Sequence, residues 1–221
     1  MIVLPESNLL LVDKPTGITS FDVIRILRKE LNIKKMGHAG TLDPLATGLL
    51  IIGINEGTKK LTALVGLNKT YRAEILLGVK TDSGDITGNS IEEKDVPDLS
   101  IDEVSAVIAH FVGQHHLKVP MYSAIKKDGK PLYTYARENK VVEVPIKTME
   151  VLRAAVEKKE GNVLTVFFEV TSGSYIRTLS EELAKRLGTI GTIKNLRRLT
   201  VGHYSVKDAE QIDATGYILR K

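Results

Sequence analysis

The 221-residue chain predicts an α+β fold, a largely antiparallel mixed sheet flanked by helices and loops, on three observations. Strand-like and helix-like segments are mixed without the regular strand-helix alternation that builds a parallel sheet. The two longest strand-like runs, 141–157 and 163–171, flank Glu160-Gly161-Asn162, a turn that pairs neighbours antiparallel. The chain shows no internal repeat or low-complexity segment, and 43% hydrophobic with 26% charged residues describes an ordinary folded domain with a sizeable core.

Taken in order, Asn8 to Val12 is a short strand. Thr19 or Ser20 then caps a helix whose apolar side carries Phe21, Val23, Ile24, Leu27 and Leu31. A loop rich in glycine follows, Gly48 to Ile54 is a buried strand, and Thr58 to Val65 a short helix. Thr70 to Val79 carries β-favouring residues, and Lys80 to Asn89 is loop. Ser100 with Glu103 forms a capping box ahead of Val104, Val107, Ile108 and Phe111, so a helix starts there and Gly113 ends it. After the two long strands, Ser174 to Leu187 reads as a helix stopped by Gly188, and more strand follows to Val206.

Charge and composition narrow the chemistry. Lys plus Arg exceed Asp plus Glu by 31 to 27, a net +4 that leans toward a polyanionic partner. The absence of cysteine removes disulfides, thiolate catalysis and cysteine-ligated metal sites. The apolar start, Met1 to Val12, is broken by Pro5 and Glu6 and lacks a basic leader, and no apolar run approaches the roughly 18 residues of a membrane helix. A cytoplasmic protein without membrane attachment is expected. The adjacent His115 and His116 are a weak metal signal, no phosphate-loop or dinucleotide fingerprint occurs, and no cofactor is expected.

One stretch carries most of the chemistry: Gly37-His38-Ala39-Gly40-Thr41-Leu42-Asp43-Pro44-Leu45-Ala46-Thr47-Gly48. Its glycines and Pro44 make it a shaped loop, of the kind that often carries function, and glycine lets a ligand approach the backbone closely. An isolated Asp-Pro would be a turn former, its carboxylate bonded to its own backbone. The whole string, however, resembles the catalytic motif of the TruB family of tRNA pseudouridine synthases and its relative dyskerin. Three further segments resemble that family in the same order and spacing: Asp13 to Ser20, Lys69 to Ala73, and Gly173 to Leu179. The resemblance covers about residues 8 to 200.

The resemblance implies a pseudouridine synthase catalytic domain over 1–205 with an RNA-gripping insertion at about 120–145 and a short tail, 206–221. Many TruB-type proteins continue into a C-terminal RNA-binding domain, for which this tail is too short. It also implies that Asp43 is the catalytic carboxylate, able to attack the sugar or base or to remove a sugar proton. Arg177 is implied as its cationic partner, against the plain alternative of a helix residue on a solvated face. Tyr71 is implied as the flat face for a base drawn out of its stack, a step costing a few kcal/mol. His38 is implied as an RNA contact that fills the vacated space and Asp85 as a support of the site network, while Lys14 is read as an electrostatic aid or phosphate contact, against the plain alternative of a solvent-facing residue before a turn.

Downstream, Pro120 to Lys127, then Lys130, Tyr133, Tyr135 and Arg137, interleave basic and aromatic residues suited to phosphate contact and stacking. Lys126, Lys130, Tyr133 and Arg137 are the expected RNA contacts there, and Arg197 lies in a segment, Leu196 to Arg198, that resembles one near the family site. The expected activity is isomerisation of uridine 55 in the T-loop of tRNA, with tRNA as partner and no obligatory protein partner. Two other readings stay open, a dyskerin-like subunit directed by a separate guide RNA and a non-catalytic tRNA-folding or tRNA-binding protein. A carboxylate-dependent hydrolase would differ by releasing base or phosphate.

Overall fold

The computed structural model describes residues 7–138, 140, 142–212 and 218–219. In chain order the elements are β1 (Leu9–Lys14), α1 (Ser20–Leu31), β2 (Met36–His38), β3 (Thr47–Ile54), a 3-10 turn (Asn55–Lys60), α2 (Leu61–Val65), β4 (Lys69–Leu77), β5 (Val79–Thr81) and β6 (Ser90–Glu93). They continue with α3 (Ile101–Ala109), β7 (Gly113–Lys118), β8 (Lys126–Lys127), β9 (Lys130–Pro131), α4 (Leu132–Arg137), β10 (Ile146–Glu160), β11 (Val163–Val170) and α5 (Ile176–Arg186). The last are β12 (Gly191–Val201), β13 (Tyr204–Ser205), a 3-10 turn (Val206–Asp208), β14 (Glu210–Ile212) and β15 (Ile218–Leu219). Antiparallel pairing prevails, as expected for the α+β class, with parallel pairing at β1–β14 and β3–β12. The chain divides into two compact units, 1–72 with 196–221, and 73–195, so β4 and β12 each run from one unit into the other.

In the first unit, β1 and β3 pair antiparallel with Leu9 opposite Gly53 and Lys14 opposite Gly48. Strand alternation sends Leu10, Val12, Leu50, Ile52 and Ile54 to one face, where Val23, Ile24 and Leu27 of α1 cover them. The opposite face buries Leu9, Leu49 and Ile51 with Leu64 and Val201. Helix α1 begins where Thr19 accepts from the Asp22 amide at 3.0 Å while Asp22 accepts from the Thr19 amide at 2.8 Å. This is a capping box with Asp in the position usually held by Glu. Phe21 does not join the apolar side: it is 54% exposed, with the Arg28 guanidinium 5.8 Å from its ring.

In the second unit, β10 pairs antiparallel with β7 on one side and β11 on the other. The turn at Gly161 adopts φ 54°, which favours glycine, and joins β10 to β11 where the sequence predicted it. Helix α3 lies against β10, and its buried Val104 and Ile108, with Phe111 just beyond, belong to the apolar interior along with Phe168 of β11. Phe111 and Phe168 meet edge to face at 6.4 Å. Helix α3 keeps the predicted Ser100–Glu103 box but stops at Ala109, and Gly113 opens β7 instead of ending the helix. The long strand expected from Val141 starts at Ile146, Val141 itself lying outside the described residues. The expected loop 80–89 contains the end of β5 and a tight turn stabilised by Asp85.

Candidate active site

Within the first unit, the aspartate loop is tied down on both sides of Asp43. The Ser20 hydroxyl donates to the Leu42 carbonyl at 3.1 Å and accepts from the Leu42 amide at 2.8 Å. Thr16 donates to Leu45, the Gly17 amide to Pro44, and the Ala46 amide to the carbonyl of Asp43 itself. Asp43 itself is half-buried, on backbone bonded at Leu42 before it and at Pro44 and Leu45 after it. Gly40 and Gly48 take φ of 91° and 103°, values side-chain-bearing residues rarely adopt. At Gly48 a Cβ would also run into the Arg198 backbone carbonyl, so glycine is required there twice over.

Strand register explains what surrounds the loop. Gly48 stands opposite Lys14 on one neighbouring strand and Arg198 on the other, forming a row of two cations with a glycine between. Lys14 is fully buried, its ammonium donating to the carbonyls of Pro15 (2.8 Å), Ile18 (2.7 Å) and Pro44 (3.3 Å). Burial pushes its pKa down to about 8, against the opposing attraction of Asp43. Arg198, 1% exposed, donates through Nε to Leu49 (2.7 Å) and through its two Nη atoms to Gly40 (3.1 Å) and Thr41 (3.5 Å). Lys69, also buried, donates to Val65 and Leu67, and desolvation with the nearby Arg198 charge lowers it to about 8.

His38 lies at the end of β2, half-buried, with Nδ1 enclosed and lacking a hydrogen-bond partner. Burial and the Arg198 charge lower its pKa, which favours the neutral ring. Tyr71 is buried on β4, on the strand face it shares with Lys69 and Ala73. Arg197 points the other way from Arg198 and makes a two-point ion pair with Asp13 at 2.9 and 2.6 Å. Sequence reasoning picked out Lys14 and Arg197 but gave no separate role to Arg198 or Lys69, and it read Ser20 only as a possible helix cap, a place that Thr19 takes. The missed signal was strand alternation, which puts Arg198 in line with buried Leu196 and Lys69 in line with buried Tyr71.

The second unit holds Arg177 in the first turn of α5 and 5% exposed, not on the solvated face that a helical arginine usually occupies. Its guanidinium donates to the Ser83 carbonyl at 2.7 Å and the Tyr122 carbonyl at 2.8 Å. Asp85, also buried, organises the turn that presents Ser83: its carboxylate accepts from the Thr87 amide at 3.0 Å, the Thr87 hydroxyl at 2.5 Å and the Ser83 hydroxyl at 3.1 Å. Asp85 therefore sets the shape of an arginine-holding loop. Lys126 and Lys130 lie exposed on the β8–β9 hairpin, turned by Asp128 and Gly129 at positive φ. Tyr133 and Arg137, both exposed on α4, stack with 5.3 Å between guanidinium and ring. His115 and His116 serve local hydrogen bonds, to the Phe111 carbonyl and to Thr148, and among the described residues no cluster of three or more His, Asp or Glu could hold a metal.

Residues 28–176 match the family described as TruB family pseudouridylate synthase (N terminal domain). The chain is 40% identical over 209 residues to the tRNA pseudouridine synthase B of Mesoplasma florum, covering 94% of this chain and 73% of that protein. It is 38% identical over 217 residues to that of Endomicrobium trichonymphae, covering 97% and 94%. Among solved structures it is similar to a chain of a Cbf5-Nop10-Gar1 complex, with TM-score 0.71, 28% identity and coverage of 94% of this chain and 52% of that one. A second similar structure is an H/ACA RNP bound to a substrate RNA containing 2'-deoxyuridine, with TM-score 0.68, 25% identity and coverage of 92% and 50%. The chain spans about half the length of these two solved chains.

Proposed function

The chain belongs to the TruB family of pseudouridylate synthases, and on that premise we propose that it isomerises uridine 55 in the T-loop of tRNA to pseudouridine, with Asp43 as the catalytic carboxylate. The reaction breaks the N1–C1′ bond and forms C5–C1′, while C5 loses a proton and N1 ends protonated. It is redox-neutral, so side chains can suffice. The observation that carries the reading is the aspartate loop, in which one half-buried carboxylate stands on a backbone fixed from both sides, near enough to the buried Lys14 for the two charges to attract. Such pre-set geometry is what positions a nucleophile or base for reaction.

Tyr71 is assigned to stack the displaced uracil, His38 to contact the RNA beside it, and Arg177 to act electrostatically on the reaction. The carbonyl clamp on Arg177, with Asp85 behind it, supports a fixed orientation for that guanidinium. Lys126, Lys130, Tyr133 and Arg137 are assigned to grip RNA, a role their exposure supports. Identity is higher to the tRNA pseudouridine synthases B than to the chain in the Cbf5-Nop10-Gar1 complex, which supports an enzyme acting alone.

The test is to incubate the purified chain with unmodified tRNA transcript, without added metal or protein, and map pseudouridine by chemical labelling. Wild type should modify the T-loop uridine, and Asp43→Asn should lose at least about 10³-fold in rate while binding tRNA normally. Tight binding without modification would favour a guide-dependent subunit or a folding protein, and turnover by Asp43→Asn would remove the assignment of the carboxylate.

A further inference from the structure

We propose that Arg198 is a positioning residue for the reaction: lying under the aspartate loop, it holds the backbone on both sides of Asp43 and so fixes where the carboxylate points. The inference rests on the reading of Asp43 as the reacting group. Three observations lead to it. The guanidinium bonds to Gly40 and Thr41 upstream of Asp43 and to Leu49 downstream, so a single side chain spans the loop's two ends. It is almost wholly buried, where a cation needs hydrogen-bond acceptors, and its Nε and both Nη atoms each donate to a carbonyl of this loop or of the strand that follows it. And the approach is built in at backbone level, because Gly48 leaves no room for a Cβ against the Arg198 backbone.

A stability role alone would need none of this arrangement, since an apolar side chain of like volume fills a core at lower desolvation cost. What the arginine adds is direction. Its planar fork reaches divergent acceptors with fixed angles between them, which a lysine cannot reproduce. Lys14 holds the loop from the neighbouring strand, but only through Pro44, and its remaining bonds go to its own turn. Without Arg198 the Gly40–Thr41 and Leu49 ends would lose their common tether, and the bonds of Ser20 to Leu42 and of Lys14 to Pro44 would not by themselves fix the angle at which the loop carries Asp43.

The experiment compares wild type, Arg198→Lys and Arg198→Met in single-turnover modification of tRNA and in equilibrium binding of the same tRNA, with circular dichroism and amide NMR shifts of Gly40 to Ala46. Arg198→Lys should fold, bind tRNA within about threefold of wild type and lose about 10²-fold in single-turnover rate, the scale expected when a reacting group is displaced by about 1 Å. Its loop amides should shift while those of α1 stay. A wild-type rate in Arg198→Lys would overturn the proposal, and so would rate and binding falling together. Loss of the fold in both variants would overturn it as well, by making Arg198 a residue of stability alone. If wild type itself leaves tRNA unmodified, the functional reading fails, while the loop amide shifts still report whether Arg198 sets the loop.

Discussion

Among individual residues, the most informative are the three buried cations of the first unit, Lys14, Lys69 and Arg198. Burying a charge is costly, and here backbone carbonyls offset that cost where surface ion pairs elsewhere in the chain do so little. The two lysines are held down to about 8 chiefly by desolvation, so folding lowers their proton affinity. Between about 8 and the ordinary 10.5 the unfolded chain therefore binds more protons than the folded one, and stability rises with pH across that window. Each lysine contributes at most about 1.4 kcal/mol per pH unit there. Urea unfolding of Lys69→Met should show a shallower rise than wild type between pH 8 and 10, and parallel slopes would mean the amine is not desolvated. Two of these cations, Lys69 and Arg198, had no assigned role in the sequence, where each was read only as part of a segment that resembles the family. Their place on the buried side of the alternation, Lys69 with Tyr71 and Arg198 with Leu196, was nonetheless written there.

At the level of elements, the row Lys14–Gly48–Arg198 shows why the loop closes where it does. Gly48→Ala should destabilise by about 2–5 kcal/mol, from a strained φ together with a backbone collision. Gly17→Ala, at φ 88° with open space around its Cβ, should cost only about 1 kcal/mol. Chemical denaturation of both variants isolates the contribution of the collision, and equal losses would deny it. Element types were legible wherever local chemistry speaks unambiguously: the Ser100–Glu103 box, the Gly161 turn and the stop at Gly188 all stand as the sequence predicts. Misreadings arose where tertiary context decides. Phe21 satisfies helical periodicity yet packs against Arg28 at the surface, and the expected helix from Thr58 is a 3-10 turn followed by a short α-helix.

For the molecule as a whole, the small excess of positive charge matters less than where basic side chains lie. Lys126 and Lys130 share an exposed hairpin, and Arg137 stacks on Tyr133 in the helix that follows. Replacing both lysines by glutamine should weaken tRNA binding at all sequences and reduce the slope of log affinity against log salt by about 1 to 2. A filter-binding series from low to moderate salt measures this, and an unchanged slope would place the RNA elsewhere. No helix among the described residues is long and apolar enough to cross a membrane.

The anchors of the aspartate loop stand at positions 14, 48 and 198, so nearly the entire chain must be synthesised and brought together before that loop acquires its final geometry. Contacts of such long sequence separation form late, since the entropy of closing the intervening chain must be overcome first. On refolding from denaturant, helical signal should therefore recover before catalytic competence, and a nascent chain released short of residue 198 should be inert however well its other strands have formed.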